Sequence, residues 1–355
     1  MKRFAWIAVL ATAAWSFCAP AFGQSGAAPE VKEKKDEKRV LEIGQWYPTL
    51  LGGLNVTQAS YSDNWKGGDK GSVSWAAFLN GTAENQVKQS LNWLSTMKLL
   101  YGQTRVQELN SNGDKVWGGS NKSADQIDIE TIFRLTRGWA VDPYASFRWE
   151  SFFQDVTDPL DRKLWLNPMT FKESVGIARK FIDREDQQLL VRTGATAREN
   201  YRRFFTSSDP SNTGTDAATA WDAGAEVVVD YKNLLSEQLT YTSRLSAYQP
   251  FTWSKSDIFD GLGADSLAAA GLPSDISDFT TAVDIDWQNT LSAQVTKIIA
   301  VQLYVELLYD KYDNSVVPTV DGANALTNTG AVAAAVRKKG QVKQTLGIGL
   351  TYNFK

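Results

Sequence analysis

Histidine is absent from the 355 residues, and cysteine occurs once, at Cys18. The first absence removes the usual general base, the commonest zinc ligand and the serine-hydrolase triad together. A lone cysteine cannot close an intrachain disulfide. Beyond the first 23 residues the chain also lacks any run of about 18 apolar residues, which excludes a helical membrane protein. That lack leaves a β-barrel open, because only every second residue of a barrel strand faces lipid. Lys and Arg number 37 against 40 Asp and Glu, a formal net charge of −3, so no basic excess points to a nucleic-acid partner. The expectation is a protein that is no enzyme and carries no cofactor or metal.

What is present begins with an export signal. Met1-Lys2-Arg3 is basic, Phe4 to Phe17 is almost wholly apolar, and Pro20 precedes the small-residue pattern Ala21-Phe22-Gly23. This is the layout of a secretory signal peptide over residues 1–23, and its apolar run is too short to span a bilayer. Cys18 follows bulky Phe17, where a lipidation site calls for a small residue. Residues 24–45, with Glu30-Val31-Lys32-Glu33-Lys34-Lys35-Asp36-Glu37-Lys38-Arg39, cannot bury a core and read as a charged periplasmic tail. Residues 46–355 remain for the folded domain.

There the hydrophobic period is two. Val73, Trp75, Ala77 and Leu79 alternate with Ser74, Ala76, Phe78 and Asn80, and Ile127, Ile129, Thr131, Phe133 and Leu135 with Asp128, Glu130, Ile132 and Arg134. The pattern recurs near 144–153, 189–198, 222–231, 283–293 and 299–309, and more weakly near 53–61, 91–101, 168–181, 237–248 and 341–354. Such alternation is the mark of strands with two unlike faces. In the segment 168–181 the apolar face of Met169, Phe171, Val175 and Ile177 also contains Glu173, which places a carboxylate near an interface or shifts the register.

The count predicts an all-β fold, a closed antiparallel transmembrane β-barrel of about 12 strands. Its connections alternate in length. Those at 62–72, 103–123, 206–215, 249–278 and 313–339 are long and polar, whereas those near 84–88, 137–142, 183–186, 232–237 and 296–297 are short. Outer-membrane barrels have long extracellular loops and short periplasmic turns, so the rhythm puts both termini in the periplasm. Leu350, Tyr352 and Phe354 lie at every second position of the last strand, a terminal signal of the type read by the barrel-assembly machinery, although Lys355 follows the last aromatic. Trp65, Trp75, Trp93, Trp139 and Trp149 fall near strand ends, as interfacial belts require; core packing would explain some of them equally.

The stretches Ser60-Tyr61-Ser62-Asp63-Asn64-Trp65-Lys66-Gly67-Gly68, Trp93-Leu94-Ser95-Thr96-Met97-Lys98-Leu99-Leu100-Tyr101-Gly102 and Lys122-Ser123-Ala124-Asp125 resemble an uncharacterised family of outer-membrane β-barrel proteins, domain of unknown function 3078. The resemblance implies the barrel and its membrane, and no activity. Asn64, Trp65, Gly67 and Gly68 read as a shaped extracellular turn, or as a ligand-binding motif.

If the polar faces point inward, Asp128, Glu130, Arg148, Glu150, Arg192, Arg198, Asp222, Glu226, Arg244, Asp284, Asp286 and Glu306 share a lumen. A hairpin centred near Trp139 sets Glu130 opposite Arg148, and one centred near Leu234 sets Arg244 close to Asp222 and Glu226. Two readings follow: a salt-bridge lattice that fills the barrel, or the wall of a narrow pore for small solutes. The acidic loop 249–278, with Asp257, Asp260, Asp265, Asp275 and Asp278, reads as a solvated lid, a pore-narrowing segment or a calcium site. Outer-membrane lipid and the barrel-assembly machinery are the expected partners.

Overall fold

The computed structural model describes residues 41–61, 70–296, 298–322, 324–337 and 339–354. Twelve long strands form one sheet: β1 (Trp46–Ala59), β2 (Ser72–Lys88), β3 (Leu91–Leu109), β4 (Asn121–Leu135), β5 (Asp142–Ser151), β6 (Met169–Asp183), β7 (Gln187–Phe205), β8 (Thr215–Leu234), β9 (Leu239–Trp253), β10 (Asp284–Gln294), β11 (Ile299–Tyr309) and β12 (Gln341–Phe354). Each pairs antiparallel with its sequence neighbours, and β12 returns to β1 in the register Leu50↔Phe354 through Asn55↔Gly349. The sheet therefore comes round to a short β12–β1 seam and is nearly closed, which is what hydrocarbon demands of backbone N–H and C=O groups. No described helix is long and apolar enough to cross a membrane.

Closure follows from the alternation. Val175, Ile177, Val227, Leu346 and Ile348 are exposed on the outside, while Ser174, Arg192, Thr196, Glu226 and Ser246 are buried inside. Charged side chains buried inside with apolar ones exposed outside are the inverse of a water-soluble sandwich. Wrapped as a barrel in lipid, such a sheet satisfies both faces. Trp93 meets Trp46 edge-on and Phe133 at a tilt outside, near the short turns, with ring centroids 4.9 and 5.2 Å apart. Exposed Trp165, Trp221 and Phe251 lie near the other end. These are the two aromatic girdles expected at the bilayer interfaces.

Glu173 lies outside, opposite Phe147 and Ala197, so the register read from the sequence holds and the carboxylate faces lipid. Inside, Gly176 of β6 faces Gly194 of β7, and a Cβ on either would strike the neighbouring strand's backbone. Glycine here permits the close approach of a strongly coiled sheet.

The connections after β2, β4, β6, β8 and β10 are short, and those after β1, β3, β5, β7, β9 and β11 are longer. Residues 254–283 carry α1 (Ser256–Asp260), α2 (Ala264–Ala269) and α3 (Ile276–Phe279), and residues 310–340 carry α4 (Thr329–Ala335). The two segments share an apolar core of Phe259, Leu262, Leu267, Leu272, Ile276, Tyr312, Val316 and Val332, packed onto Ala220 and Trp253 of the wall. The acidic loop is thus not merely solvated: with residues 310–340 it folds into a lid around a shared apolar interior. No group of three or more acidic side chains able to hold a metal occurs among the described residues.

Candidate functional site

All twelve charged residues read as lumen-facing occupy inward positions; ten of them join two ion-paired or hydrogen-bonded clusters, and Glu226 and Glu306 stand apart from these. In the first, Glu130 of β4 accepts from Arg192 of β7 at 2.8 Å and from Arg244 of β9 at 2.7 Å. Asp230 of β8 lies 3.3 Å from Arg192 and 3.5 Å from Arg244. One carboxylate thereby ties one side of the barrel to the other. Next to it, Arg148 donates two hydrogen bonds to Asp128 at 2.8 and 2.9 Å and lies 3.1 Å from Glu150, which meets Lys172 at 2.9 Å. Lys98 of β3 donates to Gln288 of β10 at 2.9 Å, and Gln288 donates to Asp286 at 2.7 Å, a second link across the lumen.

The second cluster lies nearer the lid. Arg198 donates to Asp222 at 2.9 Å and to Asp284 at 2.9 Å, while the Tyr248 hydroxyl donates to Asp222 at 2.6 Å. Asn314, from the lid, donates to the same carboxylate at 3.4 Å. Glu226 is held by hydroxyls, of which Ser246 is closest at 3.0 Å, and Glu306 lies 3.5 Å from Lys343.

One expected pairing holds as a register and the other needs correction. Glu130 does stand opposite Arg148, but Arg148 bonds Asp128 and Glu150 while Glu130 takes Arg192 and Arg244. A long guanidinium reaches diagonally, so register alone does not select its partner. The β8–β9 hairpin sets Asp230 opposite Arg244, with the turn at residues 235–238, so Arg244 meets Asp230 and Glu130 rather than Asp222 and Glu226. Leu350, Tyr352 and Phe354 belong to β12, opposite Leu54, Gly52 and Leu50. Asn64, Trp65, Gly67 and Gly68 lie outside the described residues.

Several participants were legible but unselected. Lys98 sits on the polar face of β3 between Thr96 and Leu100, and Asp230 closes the inward row of β8. The lid's apolar residues carried no periodic signal in the sequence.

The lattice separates two cavities. The first, of about 560 Å³, lies at the short-turn end and is lined by Asn92, Arg134, Asp142, Lys180 and Asp183, all near strand termini. The second, of about 480 Å³, lies on the lid side and is lined by Asp128, Glu150, Thr170, Asp286, Glu306 and Lys343. Above it, Arg337 meets Asp310 at 2.6 Å and Asp313 at 3.1 Å. Burial, with Asp284 and Asp313 close by, raises the Asp310 carboxyl to about 7 against the pull of Arg337. Arg337 and Arg202 hold Asp313 below the usual carboxylate range although burial opposes them.

With this geometry in place, comparison adds the following. Residues 56–155 match the family described as Protein of unknown function (DUF3078). The matched span runs from late β1 through the start of the β5–β6 connection and includes Lys98, Asp128, Glu130, Arg134 and Arg148. No curated protein matches the chain. Among solved structures it is similar to the COG4313 outer membrane channel from Pseudomonas putida F1, at 11% identity over 91% of this chain and 99% of that one, with a TM-score of 0.37. It is also similar to the translocator domain of the autotransporter NalP from Neisseria meningitidis, at 7% identity over 87% and 88% of the two chains, TM-score 0.35. A third likeness is to OmpT, an outer membrane protein of Vibrio cholerae, at 8% identity over 90% and 100%, TM-score 0.30.

Proposed function

We propose that this outer-membrane barrel is a narrow passage for small polar solutes, described here in its closed form. The observation that carries the reading is the pair of cavities, about 560 and 480 Å³, each with charged side chains in its wall, on either side of a layer of ion pairs. A lumen meant only to be filled has no reason for a roomy, charged chamber at either end. Twelve strands enclose more space than the eight that side chains just fill, and less than the sixteen that leave an open channel. In this reading the signal peptide is cleaved after Gly23, the barrel-assembly machinery inserts the chain, and the short turns and both termini face the periplasm. Arg148 and Arg244 then act as latches of the constriction.

Glu130 supports a second reading. Its two short bonds to β7 and β9 brace the barrel across its lumen, as a structural or surface-interaction barrel would require. Planar-bilayer recording of the purified protein separates the two. The passage reading expects small discrete conductance from the native chain and a larger one from the double substitution Arg148→Gln with Arg244→Gln. Negligible conductance in both overturns it and leaves the structural barrel.

A further inference from the structure

Arg134 is held less tightly than the arginines of the lattice. Arg134 is 6% exposed, yet its Nε lies 3.4 Å from Asp142 and makes no hydrogen bond, and its Nη2 is 3.4 Å from Asn92. The lattice arginines Arg148, Arg192, Arg198 and Arg244 each hold a carboxylate at 2.9 Å or closer. Beside Arg134, Lys180 stands 3.2 Å from Asp183 and 4.0 Å from Glu84. Both cations point into the 560 Å³ cavity, whose remaining wall includes the apolar surfaces of Trp139, Val141 and Ala178. Its volume suits a small ligand.

The charge pattern narrows the ligand. A simple anion entering here meets Arg134, Lys180 and, at the rim, Arg179, but is opposed by Asp142 and Asp183 in the wall and by Glu84 behind Lys180. A simple cation meets the reverse. A solute carrying a carboxylate at one end of a short backbone and an ammonium beside it matches both sets. The guanidinium fork gains two charge-assisted bonds at ~2.8 Å in place of contacts at 3.4 Å. We propose that the short-turn cavity is a binding site for a small zwitterion of the amino-acid type. Its carboxylate rests on Arg134 with help from Lys180, its ammonium lies between Asp142 and Asp183, and its side chain packs toward Trp139. The site deepens the passage reading by naming a solute class, and it rests on that reading for its role in transport, though not for binding itself.

Equilibrium dialysis of the detergent-solubilised full chain with labelled L-leucine tests it, against two isosteres: 4-methylpentanoate, which lacks the ammonium, and 3-methylbutylamine, which lacks the carboxylate. Leucine binds saturably, and each isostere competes roughly tenfold more weakly. Arg134→Gln weakens leucine by roughly tenfold or more, and Asp183→Asn weakens leucine while leaving 4-methylpentanoate unchanged. Lys343→Gln, in the other cavity, leaves binding as it was. Heat-modifiable gel mobility reports folding, and if Arg134→Gln fails that check, Arg134→Lys, which keeps the charge and loses the fork, replaces it and gives an intermediate loss. Absence of saturable binding, equal binding of leucine and 4-methylpentanoate, or undiminished binding by a folded Arg134 variant overturns the proposal. Binding without conductance removes the passage reading alone, and conductance without binding removes this site alone.

Discussion

The mid-lumen and the lid are opposite solutions to one requirement. In the lumen the interior is mainly ionic: Glu130, Arg148, Arg192 and Asp222 are buried there beside a small apolar cluster of Ile132, Tyr144 and Ala178, and most apolar side chains of the same strands turn outward. In the lid Ile276 and Val332 are fully buried, while acidic side chains such as Asp257, Asp260 and Asp265 belong to the short helices around them. What differs is the solvent. Strands sheathed in lipid place most of their apolar side chains there, and the polar groups they turn inward must satisfy one another by charge and hydrogen bonding. Loops outside the bilayer face water and bury hydrocarbon in the ordinary way. One chain changes rule where it leaves the membrane.

The largest effect expected from breaking this contrast comes from Arg192→Gln. It removes a fully buried cation from Glu130 and Asp230, and loss of one partner of such a pair costs about 3–5 kcal/mol, less where lumen water screens the remaining charge. Denaturant unfolding in micelles measures it, and a loss below about 1 kcal/mol would show that the lattice is slack. Next comes Ile276→Ala in the lid, at about 2–4 kcal/mol of local stability. Here proteolysis within residues 254–283 accelerates while the heat-modifiable shift of the barrel stays put, and a fall in both would mean that lid and wall unfold together.

A smaller effect is set by pH. Asp310 is raised to about 7, so the folded lid binds its proton more tightly than the unfolded chain does. The sign follows: this stabilisation is complete below the unfolded value near 4 and is lost as pH rises through about 7, at most a few kcal/mol. Protection factors for hydrogen exchange at α1 to α4, with the intrinsic base-catalysed rise divided out, should fall between pH 4 and about 7 and level off above, and Asp310→Asn should flatten that response. Smallest is Glu173→Leu on the lipid face, expected to stabilise the barrel in bilayers by roughly 1 kcal/mol because a lipid-facing carboxylate is replaced by a hydrocarbon. No gain in lipid would mean that protein, not lipid, covers that face.

The strands were legible because their instruction is local. Alternation at period two needs only adjacent residues, and each of the twelve segments read from it overlaps an observed strand, down to Glu173, whose awkward register proved correct. The rhythm of long and short connections is likewise a property of the linear chain. Membership of the lumen followed for Asp128 through Glu306, since facing inward is fixed by parity once the barrel closes.

Tertiary structure decided everything that depends on who meets whom. Glu130 binds Arg192 and Arg244, 62 and 114 residues away, because barrel closure brings β4, β7 and β9 around one space, and no pattern along the chain encodes that distance. The lid core joins Phe259 to Val332 without any period to announce it. Arg134 has the same sequence signature as the lattice arginines, an inward position on a polar face. Only the folded barrel shows that its partners stand too far off to bond it well, because a side chain's faces are set by neighbours in sequence and its partners by neighbours in space.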